Sequence, residues 1–105
     1  MKITRKKMPE TMYRASRCCR VLGNPTAYLI VRALFEGKFT PTELSEKLKI
    51  PLYTISITLR HLRQVDLVRY KTAGQNKIYW VKDSEISRLL VSFEHWVDKE
   101  RSRKK

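Results

Sequence analysis

The stretch YTISITLRHL, residues 53–62, decides the fold, because its two readings predict different structures. It is rich in β-branched residues, so propensity alone favours a strand. Apolar residues nevertheless recur at spacings of three and four: Leu52, Ile55, Leu59 and Leu62. This spacing is the period of a helix with one buried face. We therefore expect a helix over about residues 51–64.

A short helix precedes this one. In TPTELSEKLK, residues 40–49, Thr40 takes the cap position, Pro41 the first helical position, and Glu43 follows three residues after the cap. This is the capping-box pattern, in which the Thr hydroxyl and the Glu carboxylate bind free backbone N–H groups. Residues 50–52, IPL, then turn the chain into the opening stretch.

Two further helices are expected before the capping box. The residues from Pro9 predict a helix that Gly23 ends. The next helix has Asn24 as its cap and Pro25 at its first position. Its body is apolar nearly all round, which predicts the central buried helix.

A hairpin and a last helix are expected after residue 67. Ile78 and Trp80 alternate with Lys77 and Tyr79, and the turn before them contains Gly74, Gln75 and Asn76, which predicts a hairpin. The last helix begins near Asp83 or Ser84. It carries a broad apolar stripe: Ile86, Leu89, Leu90, Phe93, Trp96 and Val97.

This order of elements predicts a mainly α fold with a small β-hairpin. Two short helices joined by a tight turn and followed by a hairpin form a winged helix-turn-helix, here with five helices and a two-stranded wing. In this fold the second helix of the pair enters the major groove of DNA. We divide the chain into a basic arm at 1–8, a DNA-binding and dimerisation domain at 9–100, and a basic tail at 101–105.

The charge balance favours a polyanionic partner. The chain has 23 Lys and Arg against 10 Asp and Glu, a formal net charge of +13, and eight of the basic residues lie in the two tails. Nucleic acid is the commonest such partner.

No apolar run approaches the roughly 20 residues of a membrane span, and no signal peptide is recognisable, so we expect a cytoplasmic protein with no membrane partner. We expect no enzyme, because His61 and His95 lack a nucleophile partner and no phosphate-loop or paired-carboxylate motif is present.

Two stretches resemble the ArsR/SmtB family of dimeric winged-helix repressors. Family members typically read ALANPTRLRIL where residues 21–31 read VLGNPTAYLIV, and T-V-S-R-H-L-K-x-L-R-x-A-G-L-V where residues 54–68 read TISITLRHLRQVDLV. The resemblance covers about residues 15–82. It implies a homodimer that binds double-stranded DNA and represses transcription.

The departures from the family pattern bear on the operator sequence. Ile57 and Thr58 replace the usual Arg-His, and Asp66 replaces a Gly, although Asp takes a left-handed backbone more readily than most residues. The missing Arg-His leaves open a different class of function, a protein–protein adaptor that does not bind DNA.

The expected DNA contacts lie on the outward side of the opening helix and on the wing. Arg60 can contact base edges or phosphates, and Ile57 can either meet a thymine methyl or pack on a neighbouring element. Lys77 is expected to bind phosphate, and the start of the capping-box helix can do so through its free N–H groups. The candidate contacts are Thr40, Tyr53, Thr54, Ser56, Ile57, Arg60, Lys71, Thr72, Gln75, Asn76 and Lys77.

The terminal helices carry more apolar surface than a monomer of this size covers, which predicts a two-fold dimer. A dimer would place its two recognition helices about 34 Å apart, one turn of DNA. The expected interface residues are Met8, Met12, Cys19, Leu90, Phe93, Trp96 and Val97.

The positions that bind metals in sensors of this family carry different residues here. The family pattern ELCVCDL corresponds to KFTPTEL here, with Thr40 and Thr42 in place of the cysteines. A second family site uses carboxylates and His on the last helix, where Asp83, Glu85, His95 and Asp98 are suggestive. The spacing from Glu85 to His95 is one residue shorter than in the family, and zinc sites seldom rest on a single His, so we assign no metal and no cofactor. Cys18 and Cys19 are adjacent and poorly placed for a mutual disulfide. A thiol- or metal-responsive sensor of the same fold remains the alternative, with the inducer unknown.

Overall fold

The computed structural model describes residues 8–103 and contains five helices and one two-stranded antiparallel sheet. The elements are α1 (Glu10–Leu22), α2 (Pro25–Leu34), α3 (Pro41–Leu48), α4 (Leu52–Gln64), β1 (Val68–Ala73), β2 (Asn76–Val81) and α5 (Ser84–Arg103). The predicted fold class is confirmed, and 53–62 is helical. Residues 1–7 of the expected arm and 104–105 of the expected tail lie outside the described residues. Because α5 continues to Arg103, the first part of that tail is helix.

The helix starts follow from local hydrogen bonds. The Asn24 side chain accepts the N–H of Ala27 at 3.1 Å and caps α2. In α3 the Thr40 hydroxyl accepts the N–H of Glu43 at 3.1 Å, and the Glu43 carboxylate accepts the N–H of Thr40 at 2.8 Å. Both halves of the expected capping box are therefore formed. At α5, Asp83 accepts the N–H of Glu85 at 3.0 Å.

The core lies between α2, α3 and α4. Ile55, Leu59 and Leu62 are 0% exposed, as the helical spacing predicts, and they share the core with Ile30 of α2 and Leu44 of α3. The fourth member of the spacing, Leu52, is 46% exposed. It is the first residue of α4, one turn ahead of the part of the helix that is buried.

The wing differs from the expected alternation at Tyr79. The sequence grouped Tyr79 with Lys77 in the alternation, but the Tyr79 side chain is buried, whereas Lys77 is exposed. Tyr79 pairs with Tyr70 across the hairpin, with ring centroids 5.2 Å apart. On its other side its backbone exchanges two hydrogen bonds with Phe39, of 2.8 and 3.1 Å. Phe39 thus forms an isolated bridge with β2, so Tyr79 is paired on both sides, with Tyr70 and with Phe39.

Candidate nucleic-acid interface

The turn between α3 and α4 is fixed by three local features. Lys49 ends α3 in the left-handed conformation, with φ of 59°. The N–H of Ile50 reaches back to the carbonyl of Ser45 at 3.2 Å. The Ser45 hydroxyl in turn donates to the carbonyl of Ile50 at 2.6 Å. Three residues therefore separate two helices, which is the tight connection of a helix-turn-helix.

The outward side of α4 presents a polar and aromatic surface. Tyr53 is 76% exposed, and Ser56 and Arg60 are also exposed. These side chains lie opposite the fully buried Ile55 and Leu59. The arrangement is the one that the sequence predicted for the recognition helix, with hydrogen-bonding groups and one guanidinium facing away from the core.

The middle of α4 explains one departure from the family pattern. Thr58 is buried, and its hydroxyl donates to the carbonyl of Thr54 at 2.7 Å. It is therefore not an outward position in this chain, and its side chain is satisfied within the helix. Ile57 and Thr54 are half-buried. Both interpretations of Ile57, contact with DNA and packing on a neighbour, remain compatible with its position.

The polar residues of the wing are exposed to solvent. All five expected contacts there are exposed: Lys71, Thr72, Gln75, Asn76 and Lys77. The turn itself consists of Gly74 and Gln75, and Gly74 has a φ of 65°, a conformation that favours glycine. Asn76 begins β2 rather than lying in the turn.

Two cations flank the aromatic ring of Tyr70 in β1. The Lys77 ammonium lies 5.0 Å from the centroid of the Tyr70 ring, and the Arg63 guanidinium lies 5.4 Å from it. Such cation–π contacts hold the long side chains in place. They concentrate positive charge where α4 meets the hairpin.

The start of α3 is less open to a phosphate than expected. Thr40 is half-buried, and its hydroxyl is engaged in the capping box. The Glu43 carboxylate already occupies the positive end of this helix. A phosphate contact at Thr40 would have to compete with that carboxylate.

An ion-pair cluster closes the far end of α4. Asp66 has a φ of 62°, and the Lys82 ammonium approaches its carboxylate at 2.7 Å, with Arg69 at 3.5 Å. The hydrogen bond from Lys82 holds the pKa of Asp66 below its ordinary value, against a smaller opposite effect of burial. The left-handed backbone expected at this position is confirmed.

Separately from this surface, an apolar stripe lies on α5. Phe93 and Trp96 are 55% and 57% exposed, and their rings stack with centroids 6.1 Å apart. Leu89, which is 66% exposed, extends the stripe by one turn and was not among the expected interface residues. Leu90 was expected in the interface but is 4% exposed, because it packs into the core of its own chain.

The other expected interface residues are less uniform. Met12 and Val97 are 57% and 47% exposed. Cys19 is exposed and Met8 is half-buried. Met12, Val97 and Cys19 are therefore available to a partner in the single chain, whereas Met8 is partly covered.

The sensing candidates lie apart from one another. The Cys18 thiol donates to the carbonyl of Val65 at 3.5 Å, and burial raises the pKa of Cys18, which disfavours the thiolate. His95 and Asp98 are both exposed on α5. Within residues 8–103 no three His, Cys, Asp or Glu side chains come together as a metal site. In the same part of the chain, no helix is long and apolar enough to cross a membrane.

These features define the class: the molecule is a winged helix-turn-helix protein. A family model described as a helix-turn-helix domain matches residues 22–71, which span α2, α3, α4 and the start of β1. An uncharacterised HTH-type transcriptional regulator of Methanocaldococcus jannaschii is 26% identical over 82 residues, covering 77% of this chain and 92% of the relative.

Solved structures agree with this class. A homodimeric winged helix-turn-helix DNA-binding domain from Mycobacterium bovis, described as a possible ArsR-family regulator, is 19% identical with a TM-score of 0.81, covering 94% of this chain and 92% of that one. The transcriptional repressor BigR from Xylella fastidiosa is 23% identical with a TM-score of 0.71, covering 86% and 92%. These likenesses establish the fold. The winged helix-turn-helix fold that the resemblance implied is therefore confirmed.

Proposed function

We propose that this protein is a homodimeric, cytoplasmic regulator of transcription that binds a specific site in double-stranded DNA and acts as a repressor without catalysing a reaction. The observation that carries the proposal is the division of α4 into two faces. Its inner face is fully buried, and its outer face presents Tyr53, Ser56 and Arg60.

The chemistry of the outer face suits the major groove. An α-helix fits this groove, where a guanidinium pairs with the acceptor atoms of guanine and a hydroxyl bonds to either base type. Arg60 and Ser56 supply these two groups, and Tyr53 can reach a phosphate. We infer that Arg60 contributes most of the discrimination between sequences.

The wing suits the phosphate backbone. Lys71 and Lys77 are exposed on its two strands, and Gln75 stands at its tip. Contacts of this kind position a protein on DNA without reading its sequence. Because each phosphate contact releases counterions, affinity should fall steeply as salt is raised.

The proposed dimer uses α5 and α1. Leu89, Phe93 and Trp96 follow one another at intervals of four and three residues, so they share one side of α5. The relative from Mycobacterium bovis is described as homodimeric. An equivalent pairing here would present two copies of α4 to successive turns of the major groove, about 34 Å apart.

The repressor role is supported by the family resemblance and by the description of BigR as a transcriptional repressor. A dimer of this size would cover about two turns of DNA.

Selection of bound fragments from a pool of random duplexes tests the proposal. We expect the retained fragments to share a nearly palindromic sequence whose half-sites are about 10 base pairs apart. Fragments without a common sequence would contradict specific binding, and no retention even at low salt would favour the adaptor.

A native mass measurement before and after addition of a chelator tests the metal-sensor alternative, because a bound ion would shift the mass.

A further inference from the structure

A groove of about 450 Å³ lies where α1, the end of α4, the end of β2 and the start of α5 meet. This volume is within the range of small-molecule sites. None of its lining residues belongs to the proposed DNA contacts. Leu89 is the one lining residue that also belongs to the apolar stripe of α5, on which the proposed dimer rests.

Two arginines form one wall of the groove. Arg14 and Arg17 are exposed on α1, one turn apart, and neither makes an ion pair or hydrogen bond within residues 8–103. Lys82, on another wall, is already engaged by Asp66 at 2.7 Å. Free guanidinium groups at this spacing are well suited to a carboxylate or sulfonate, which they bind through paired hydrogen bonds.

The rest of the lining limits the shape of a ligand. Its apolar part consists of Ala15, Val65, Leu67, Ile86 and Leu89. On the α5 side Glu85 is exposed and its carboxylate has no cationic partner among the described residues. A second negative group on the ligand would be repelled there, so the groove favours one anionic head on an apolar body.

We propose that this groove binds a small organic monoanion and that its occupancy changes the affinity for DNA. The anionic head pairs with Arg14 and Arg17, and the apolar body covers Val65 and Ile86. The second half of this proposal rests on the proposed DNA-binding function, whereas the first half does not.

The connection to DNA runs through the segment between α4 and the wing. Val65 directly follows α4, and its carbonyl accepts the Cys18 thiol hydrogen at 3.5 Å. The carbonyl of Leu67, just before β1, accepts the N–H of Lys82, just after β2, at 3.0 Å. A ligand packed against this segment therefore contacts the joint that sets the angle between α4 and the wing.

Binding is tested with benzoate as the probe and Cys18 as the reporter. In a Cys19→Ser chain, the rate at which iodoacetamide alkylates Cys18 is measured with and without benzoate. We expect benzoate to slow the reaction in the millimolar range, whereas benzyl alcohol, which lacks the charge, and acetate, which lacks the body, should have little effect. Equal protection by benzyl alcohol, or no protection by benzoate, would overturn the site.

The arginine contribution is tested with matched variants. Adding Arg14→Ala and Arg17→Ala should raise the protecting benzoate concentration about tenfold, since charge-assisted hydrogen bonds are lost. Arg20→Ala is the control, because Arg20 is exposed on α1 but does not line the groove. A similar loss with Arg20→Ala would show a general charge effect and overturn the assignment. Amide chemical shifts of Val65 and Leu67 on benzoate addition to the unmodified chain give a second measurement.

Regulation is tested separately by anisotropy of a labelled duplex at constant ionic strength. Benzoate should change the Kd for DNA about threefold or more in the unmodified chain and not in the double arginine variant. Protection of Cys18 with an unchanged Kd would overturn the regulatory half. If the chain bound no DNA at all, the proposed function would fail, and the alkylation experiment would still decide whether the groove binds the anion.

Discussion

The Lys82 ammonium lies 2.7 Å from the Asp66 carboxylate and thereby ties the end of the wing to the end of α4. Asp66 is the residue that leaves α4 in the left-handed conformation, and Lys82 is the residue that follows β2. Both side chains are more than a third exposed, so solvent screens the pair. Its main effect is to fix the direction of the wing relative to the recognition helix.

Asp66→Asn removes the charge and keeps a residue that tolerates the left-handed backbone. Because the folded pKa of Asp66 lies below its ordinary value of 3.8, the ion pair stabilises the fold above about pH 4 and is lost as pH falls through the folded pKa. Urea unfolding should show a loss of about 0.5 kcal/mol at neutral pH that fades as the pH falls through the lowered pKa of Asp66. Glu46→Gln, an exposed carboxylate on α3, is the control. A loss that does not vary with pH would contradict the role of the charge.

Tyr28→Phe tests the link between α2 and α5. The Tyr28 hydroxyl donates to Glu94 at 2.6 Å, and Glu94 also accepts from Arg32 at 3.1 Å. Removing the hydroxyl should lower the free energy of unfolding by about 1 kcal/mol. Burial, with a further effect of Glu94, raises the pKa of Tyr28 to about 12.

The stabilisation that accompanies this raised pKa is fully present below pH 10, the ordinary value, and is lost as pH rises toward 12. An ultraviolet titration of tyrosinate should therefore lose its component near pH 12 in Tyr28→Phe. An unchanged high-pH component would assign it to another phenol.

Leu59→Ala and Ser56→Ala separate stability from DNA binding on neighbouring turns of α4. Leu59 is fully buried, so its truncation should lower the free energy of unfolding by about 3 kcal/mol. Ser56 is exposed, and its truncation should change stability by less than about 0.5 kcal/mol while weakening DNA binding. Denaturant unfolding and duplex anisotropy measure the two effects. A stability loss of similar size in both variants would place Ser56 on the wrong face.

Trp96→Glu tests the dimer. A charge in the middle of the apolar stripe should convert the dimer to a monomer and leave the core of each chain intact, because the stripe is exposed in the single chain. His95→Glu introduces the same group at an exposed neighbouring position of α5 outside the stripe. Sedimentation at several concentrations distinguishes the two variants. If Trp96→Glu sediments like the unmodified chain, the interface lies elsewhere.

Most of the fold was predictable because the helix caps and the spacing of apolar residues indicate the same helices. The capping box at Thr40 and the inward set on α4 are local features, and local features can be read from sequence. The left-handed backbone of Asp66 was implied by the resemblance, because the family carries a Gly at this position.

The errors concern residues whose environment depends on distant partners. Tyr79 and Trp80 are both apolar enough for either face of β2, and the pairing of Phe39 with Tyr79 decides between them. Leu90 and Phe93 belong to one broad stripe, and only the packing of α5 on the core assigns Leu90 to the inside. Periodicity gives the width of such a stripe, whereas tertiary contacts divide it between core and surface.

The central claim is that the outward face of α4 reads the sequence of DNA while the wing binds its backbone. The direct test compares Arg60→Ala with Lys77→Ala, measuring the Kd of each for the selected duplex and for a scrambled one over a range of salt. We predict that Arg60→Ala lowers the ratio of the two affinities about tenfold, and that Lys77→Ala weakens both alike and reduces the salt dependence by about one ion. Equal losses on both duplexes in the two variants would contradict this division of roles.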